Sequence, residues 1–182
     1  KNHFEIIVVD RIKFQPRQGI CISLGQSLIK PDPFSYSIQK ATELGVVSFS
    51  PLISKRISVK LNNINITKKN RWETIAIASC QQCGENWLPE IRKIQSLRSW
   101  CNKIDAKHRI VLLPGAEKKI SSINFKESVA VAIGPEGDFT DKEVFFLKEK
   151  GFIPVNLGKR ILRAETAVVA SLSAIRTVCG EF

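Results

Sequence analysis

"SVAVAIGPEGDFTDKEV", residues 128–144, decides how the rest of the chain is read. It begins with an unbroken run of small and branched apolar residues, the pattern of a strand covered on both faces in a parallel sheet. Gly134, Pro135 and Gly137 stop that run. Thr140 then stands three residues ahead of Glu143, a capping box that opens a helix, with Phe139 and Val144 at the two positions of a hydrophobic staple. A strand that passes through a glycine-rich loop into a helix is the repeating unit of an α/β fold.

The alternation extends in both directions. "FEIIVV" (4–9) and "ICISLGQSL" (20–28) read as strands, and "KPDPF" (30–34) punctuates the chain as a domain boundary or linker. Asp32 or Ser35 caps a helix that Gly45 terminates, "VVSFSPLI" is a strand, and Thr67 caps a long helix closed by Gly84. "SLRSWCNKI" is a shorter helix, "RIVLLPG" and "FIPVNLG" are strands, and Gly151 ends the helix that Thr140 opens. The expected architecture is α/β, a parallel sheet with helices on both faces. In the last helix, "AETAVVASLSAIRTV", no residue from Thr166 to Ile175 is charged. A helix apolar all round is buried all round, which in a chain this small predicts a second subunit against one face, a homodimer.

At 182 residues, with 43% hydrophobic and 25% charged residues, the chain has the size and composition of one globular domain or one domain plus a fragment. No apolar run reaches the roughly 18 residues of a membrane span and no signal pattern opens the sequence, so a cytoplasmic protein is expected. The chain begins at Lys1 without any Met, which implies that residues precede it. Five cysteines are an odd number for a disulfide framework. Cys80 and Cys83 form a C-x-x-C, the sole basis for a metal-dependent reading, but no second pair matches it, and two buried thiols with no metal are expected. A net charge of +11 points to a polyanion. No acidic residue falls between Glu43 and Glu73, where Lys55, Arg56, Lys60, Lys68, Lys69 and Arg71 cluster, a pattern suited to neutralising phosphates.

Three loops follow predicted strands directly: "LLPG" (112–115), "IGPEGDF" (133–139) and "NLGKRILR" (156–163). In an open parallel sheet, ligands bind outside the carboxyl ends of the strands, where these loops converge. The middle loop offers Glu136 and Asp138 and lacks both G-x-x-x-x-G-K and G-x-G-x-x-G. Two carboxylates repel a pyrophosphate and suit a neutral or cationic ligand bearing hydroxyls or an ammonium group. The third loop crowds Lys159, Arg160 and Arg163 ahead of Glu165, either a basic surface loop with an Arg163–Glu165 pair or the half of a composite site that meets an anionic polymer.

"IGPEGDFTDKE" with "NLGKRILRAETA", preceded by "IQKATELGV" and "CQQCG", resembles the 16S ribosomal RNA uridine-N3 methyltransferases of the RsmE type, within the SPOUT superfamily. The resemblance covers roughly residues 32–180. It implies a trefoil-knotted methyltransferase domain over 31–182, preceded in 1–30 by part of a PUA-like RNA-binding β-barrel, and a homodimer built through the C-terminal helix and knot region. It also implies S-adenosylmethionine as cofactor, held by Leu113, Pro114, Gly134, Glu136, Gly137, Leu157, Gly158, Ile161 and Leu162, and the small ribosomal subunit as partner. The family commonly reads G-P-E-G-G-F and E-Q-x-G-R where this chain has Asp138, then Gln81 and Glu85.

Uracil N3 carries a proton at neutral pH and is a poor nucleophile until that proton leaves, so catalysis calls for a base or for cationic donors at the carbonyl oxygens. Arg163 suits the donor role and Glu165 a base or supporting role, with Arg56, Lys60, Lys159 and Arg160 on phosphate. The alternatives are the same fold acting on a ribose 2′-oxygen or a guanine, and a non-catalytic RNA-binding module.

Overall fold

The computed structural model describes residues 7–10, 16–59 and 66–182, with only the backbone of 66–69. Its elements follow the expected alternation: β1 (Cys21–Ser27), α1 (Pro31–Glu43), β2 (Ser48–Ile53), α2 (Ile66–Cys83), β3 (Glu90–Ile91), β4 (Gln95–Ser96), α3 (Leu97–Lys103), β5 (His108–Leu112), β6 (Ser128–Ile133), α4 (Asp141–Glu149), β7 (Ile153–Val155) and α5 (Ala164–Val178). Among the described residues, seven strands form one sheet in the order β3-β2-β1-β6-β5-β7, with β4 also on β2, and every pairing is parallel.

Side chains of β6 divide between two cores by the period of two, Val129, Val131 and Ile133 on one face and Ala130 and Ala132 on the other. Ile22 and Leu24 join Phe34, Ile38, Trp72, Val168, Leu172 and Ile175 beneath α1, α2 and α5. The opposite face holds Leu52, Trp100, Val111, Ala130, Ala132 and Leu147 beneath α3 and α4. Trp100, fully buried, lies flat against the β1 backbone at Gly25, where a Cβ would stand 2.6 Å from Cζ2 of the indole. Glycine at that position is therefore a packing requirement of the central strand.

Chain ends and helix ends are tied by side chains. Thr140 caps α4: its Oγ accepts from the Glu143 N–H at 3.3 Å while Glu143 Oε2 accepts from the Thr140 N–H at 2.9 Å, the expected capping box. Arg176 donates to the carbonyls of Leu44 and Gly45 at 2.7 and 2.8 Å and pairs with Glu181, whose Oε1 accepts from the Ile20 N–H at 2.6 Å. That clasp joins the end of α5 to the entry of β1. Gly45, Gly84 and Gly151 terminate their helices with φ of +71°, +74° and +78°, as expected.

Several expectations change. Cys21–Ser27 is the central strand of the sheet, hydrogen-bonded to both β2 and β6, so the unit does not begin at residue 31 as the 1–30/31–182 division has it. "KPDPF" is the strand-to-helix turn that opens α1: Pro31 occupies the first helical turn, where its missing N–H costs nothing, and Lys30 is the N-cap with no side-chain cap. Likewise α2 is already helical at Ile66, ahead of Thr67. Cys80 is buried, but Cys83 is exposed. Within the chain α5 is buried along one stripe, through Ala167, Val168, Ser171, Leu172 and Ile175, and Val169, Ala170, Ser173 and Ala174 on the other face are half-buried. Of the expected strand at 4–9, residues 7–9 have no regular structure and 4–6 lie outside the described residues.

Two stability measurements check this packing by urea unfolding. Gly25→Ala forces a methyl group into the Trp100 ring and should destabilise the fold by about 1–3 kcal/mol. Thr140→Ala removes the cap of α4 and should cost about 1 kcal/mol.

Candidate functional site

Because all strands run the same way, the loops after β1, β5, β6 and β7 leave the sheet at one edge, and together they enclose a cleft of about 980 Å³. Its floor is apolar, made by Leu112, Ile133, Val155, Ala164 and Ala167. A cleft of that size suits a ligand as large as a nucleoside cofactor.

The loop after β6 forms one wall. Asp138 N–H donates to the Pro135 carbonyl at 2.9 Å, folding 135–138 into a turn, and Gly134 passes so close beneath it that a Cβ there would lie 2.9 Å from Asp138 Oδ1. Gly134 is buried, whereas Glu136 and Gly137 are exposed at the rim. The loop after β2 braces this wall from outside. Arg56 Nη1 donates to the Gly137 carbonyl at 3.0 Å, the Lys55 N–H donates to Glu143 Oε1 at 2.8 Å, and Ser58 Oγ donates to Glu136 Oε2 at 3.4 Å. Asp138 is half-buried, and that burial pushes its carboxyl above the usual carboxylate range, against the lowering effects of the Phe139 N–H and the Arg56 charge.

The opposite wall is the segment from Asn156 to Arg163. Asn156 fastens it to the loop after β5: its N–H donates to the Lys118 carbonyl at 2.8 Å, its side chain donates to the carbonyls of Ala116 and Lys118, and its Oδ1 accepts from the Gly158 N–H at 2.9 Å. Leu157 and Leu162 are half-buried, and Ile161 is 83% exposed despite its apolar side chain.

All nine expected cofactor residues line the cleft: Leu113 and Pro114 after β5, Gly134, Glu136 and Gly137 after β6, and Leu157, Gly158, Ile161 and Leu162 after β7. Arg160, Arg163 and Glu165 line it as well. Arg163 is the exposed N-cap residue of α5, and among the described residues it forms no ion pair with Glu165, so the neutralising pair that the sequence allowed is absent. Lys159 is exposed beside the cleft without lining it, Arg56 is engaged by Gly137, and Lys60 lies outside the described residues. Sequence reasoning missed Asn156, Lys30 and Ser58. Asn156 stands two residues before Gly158, a spacing that permits the Asx turn it makes, and this was the signal available.

Comparison with known proteins agrees with this geometry. Residues 16–176 match the RNA methyltransferase domain family. The chain is 37% identical over 184 residues to ribosomal RNA small subunit methyltransferase E of Buchnera aphidicola from Schizaphis graminum, covering 99% of this chain and 75% of that protein. The protein of the same name from Mesomycoplasma hyopneumoniae is 34% identical over 175 residues, covering 94% of this chain and 75% of its own length. A crystal structure of ribosomal RNA small subunit methyltransferase E from Neisseria gonorrhoeae, bound to S-adenosyl methionine, superposes with a TM-score of 0.81 at 33% identity. That match covers 87% of this chain and 66% of the Neisseria chain, so the sequence spans from two thirds to three quarters of the length of these relatives. With a family match over most of its length and relatives above 30% identity along nearly all of it, the chain belongs to the ribosomal RNA small subunit methyltransferase E family.

Proposed function

We propose that the protein transfers the methyl group of S-adenosylmethionine to N3 of a uridine in the 16S RNA of the small ribosomal subunit. The observation that carries this reading is the composition of one cleft: carboxylates on the wall after β6, arginines on the wall after β7, and an apolar floor between them. The donor set fits the cofactor. Adenine has flat, weakly polar faces that suit the apolar floor, the ribose hydroxyls suit the backbone of the glycine-rich loops, and a sulfonium and an ammonium suit a wall with Glu136 and Asp138. When bound, the cofactor supplies an electrophilic methyl group.

The chain's own residues then have two tasks. Arg163 and Arg160 sit on the wall that an RNA strand can reach, and their fixed charge attracts phosphate. Arg163, unpaired with Glu165, is free to donate to a uracil carbonyl oxygen as negative charge grows there on loss of the N3 proton. Glu165, half-buried in the first turn of α5 at the cleft, is the carboxylate on that wall placed to accept the proton or to steer Arg163. Arg56 holds the loop of the opposite wall through Gly137, so its part is to shape the cleft as well as to meet RNA.

Three finer points of architecture belong to the same proposal. The chain is knotted, a reading that rests on the family to which it belongs. Two copies pair through α5, whose Val169, Ala170, Ser173 and Ala174 form a small-residue face only half covered by the chain itself. Residues ahead of β1 are the end of an RNA-binding region, with Arg17 donating to the Trp87 carbonyl at 3.0 Å beside the α2 terminus. A ribosomal substrate implies action in the cytoplasm.

Small subunits lacking the modification should accept labelled methyl groups from S-adenosylmethionine, with 3-methyluridine found by nucleoside mass spectrometry. A 2′-O-methyl nucleoside or a methylguanosine would assign another target, and no transfer at all would leave a binding module. Arg163→Ala should slow the transfer by about 10²–10³-fold. In sedimentation, Val169→Asp should turn a dimer into a monomer, and an already monomeric wild type would rule out the α5 pairing.

A further inference from the structure

Asp138 stands out on the cleft wall. Its backbone is left-handed, with φ of +59°, a conformation that glycine adopts freely and that other residues adopt at a cost. Its carboxylate lies over Gly134, half-buried at the cleft, and Oδ1 accepts one hydrogen bond, from the Phe139 N–H at 2.7 Å. Among the described residues it forms no ion pair. The Arg56 guanidinium, the neighbouring cation, spends a donor on the Gly137 carbonyl instead. The charge is thus held partly out of water with Arg56 near it but not in direct contact, and burial outweighs that attraction and raises its pKa. Two unfavourable features, backbone and charge, coincide at one residue that faces the ligand space. A turn alone needs neither of them, since glycine would form it with less strain.

We propose that Asp138 is the counter-ion for a cationic group of the methyl donor, a positioning residue through which this chain reads the charge of its cofactor. The proposal rests on the reading of the cleft as an S-adenosylmethionine site. A cation entering beside Asp138 completes the pair that the free protein lacks, so binding is strengthened by a group that weakens the empty fold.

Calorimetric titration of wild type, Asp138→Asn and Asp138→Gly with three ligands tests this: S-adenosylmethionine, S-adenosylhomocysteine, which lacks the sulfonium, and methylthioadenosine, which lacks sulfonium and ammonium alike. Both variants should bind S-adenosylmethionine about tenfold more weakly, the order of one partly screened ion pair, and methylthioadenosine as wild type does. If the sulfonium is the partner, S-adenosylhomocysteine binds all three proteins equally; if the ammonium is, its affinity falls in step with that of S-adenosylmethionine. Asp138→Gly should also raise the melting temperature. Unchanged S-adenosylmethionine affinity in Asp138→Asn overturns the proposal while leaving the cofactor reading intact. Equal weakening of all three ligands, together with a lower melting temperature in Asp138→Gly, overturns it too, because Asp138 would then be holding the turn. A wild type that does not bind S-adenosylmethionine removes the cofactor reading and the proposal together.

Discussion

Parallel pairing of β6 with β1 on one side and β5 on the other is the constraint from which the site follows. Strands that run in one direction must release their following loops at one edge, and here that edge collects Lys30, Leu113, Gly134 and Asn156. No loop needs to reach far. The loops after β1, β6 and β7 are short, and the site is pinned by neighbours: Gly137 by Arg56, Glu143 at the start of α4 by Lys55, Asn156 by Lys118. The cleft is therefore a by-product of the sheet, made firm by a few hydrogen bonds between segments distant in sequence.

Charge is distributed over that cleft in a way the net charge of +11 does not reveal. The wall after β6 is acidic and is braced from behind by the basic segment Lys55–Arg56, whereas the wall after β7 is basic and carries its arginines unneutralised. One chain thereby presents an acidic surface to a small ligand and a basic one to a polymer, a few residues apart. On the proposed reading, the methyl donor meets the acidic wall and the RNA meets the basic one.

Local chemistry made most of the helices legible. Thr140 and Glu143, Gly45, Gly84 and Gly151 act through contacts within a turn, so spacing alone exposed them. That the nine residues expected to hold a cofactor share one cleft was legible for a different reason, since they sit in loops whose place follows from the parallel sheet and whose motifs resemble a known family. What stayed hidden depends on partners far along the chain. Pro31 reads as a break unless one sees that Lys30 caps a helix directly behind the central strand, and the apolar sides of α5 say that it is covered without saying by what. The same holds for Cys83, which shares a helix with Cys80 but faces away from the core. Asn156 offers the sequence only its spacing to Gly158, yet it ties the wall after β7 to the loop after β5.

The clasp between Glu181 and Ile20 closes a separation of 161 residues, and β1 finds its inner neighbour only at Ser128–Ile133. During synthesis the strand at the middle of the sheet thus leaves the ribosome well ahead of β6, and the edge that β6 will cover stays unpaired until that strand follows. Such an order of events makes for slow, late closure, and it exposes a bare β-edge to other nascent chains in the meantime. For this protein the vulnerable moment is birth rather than service.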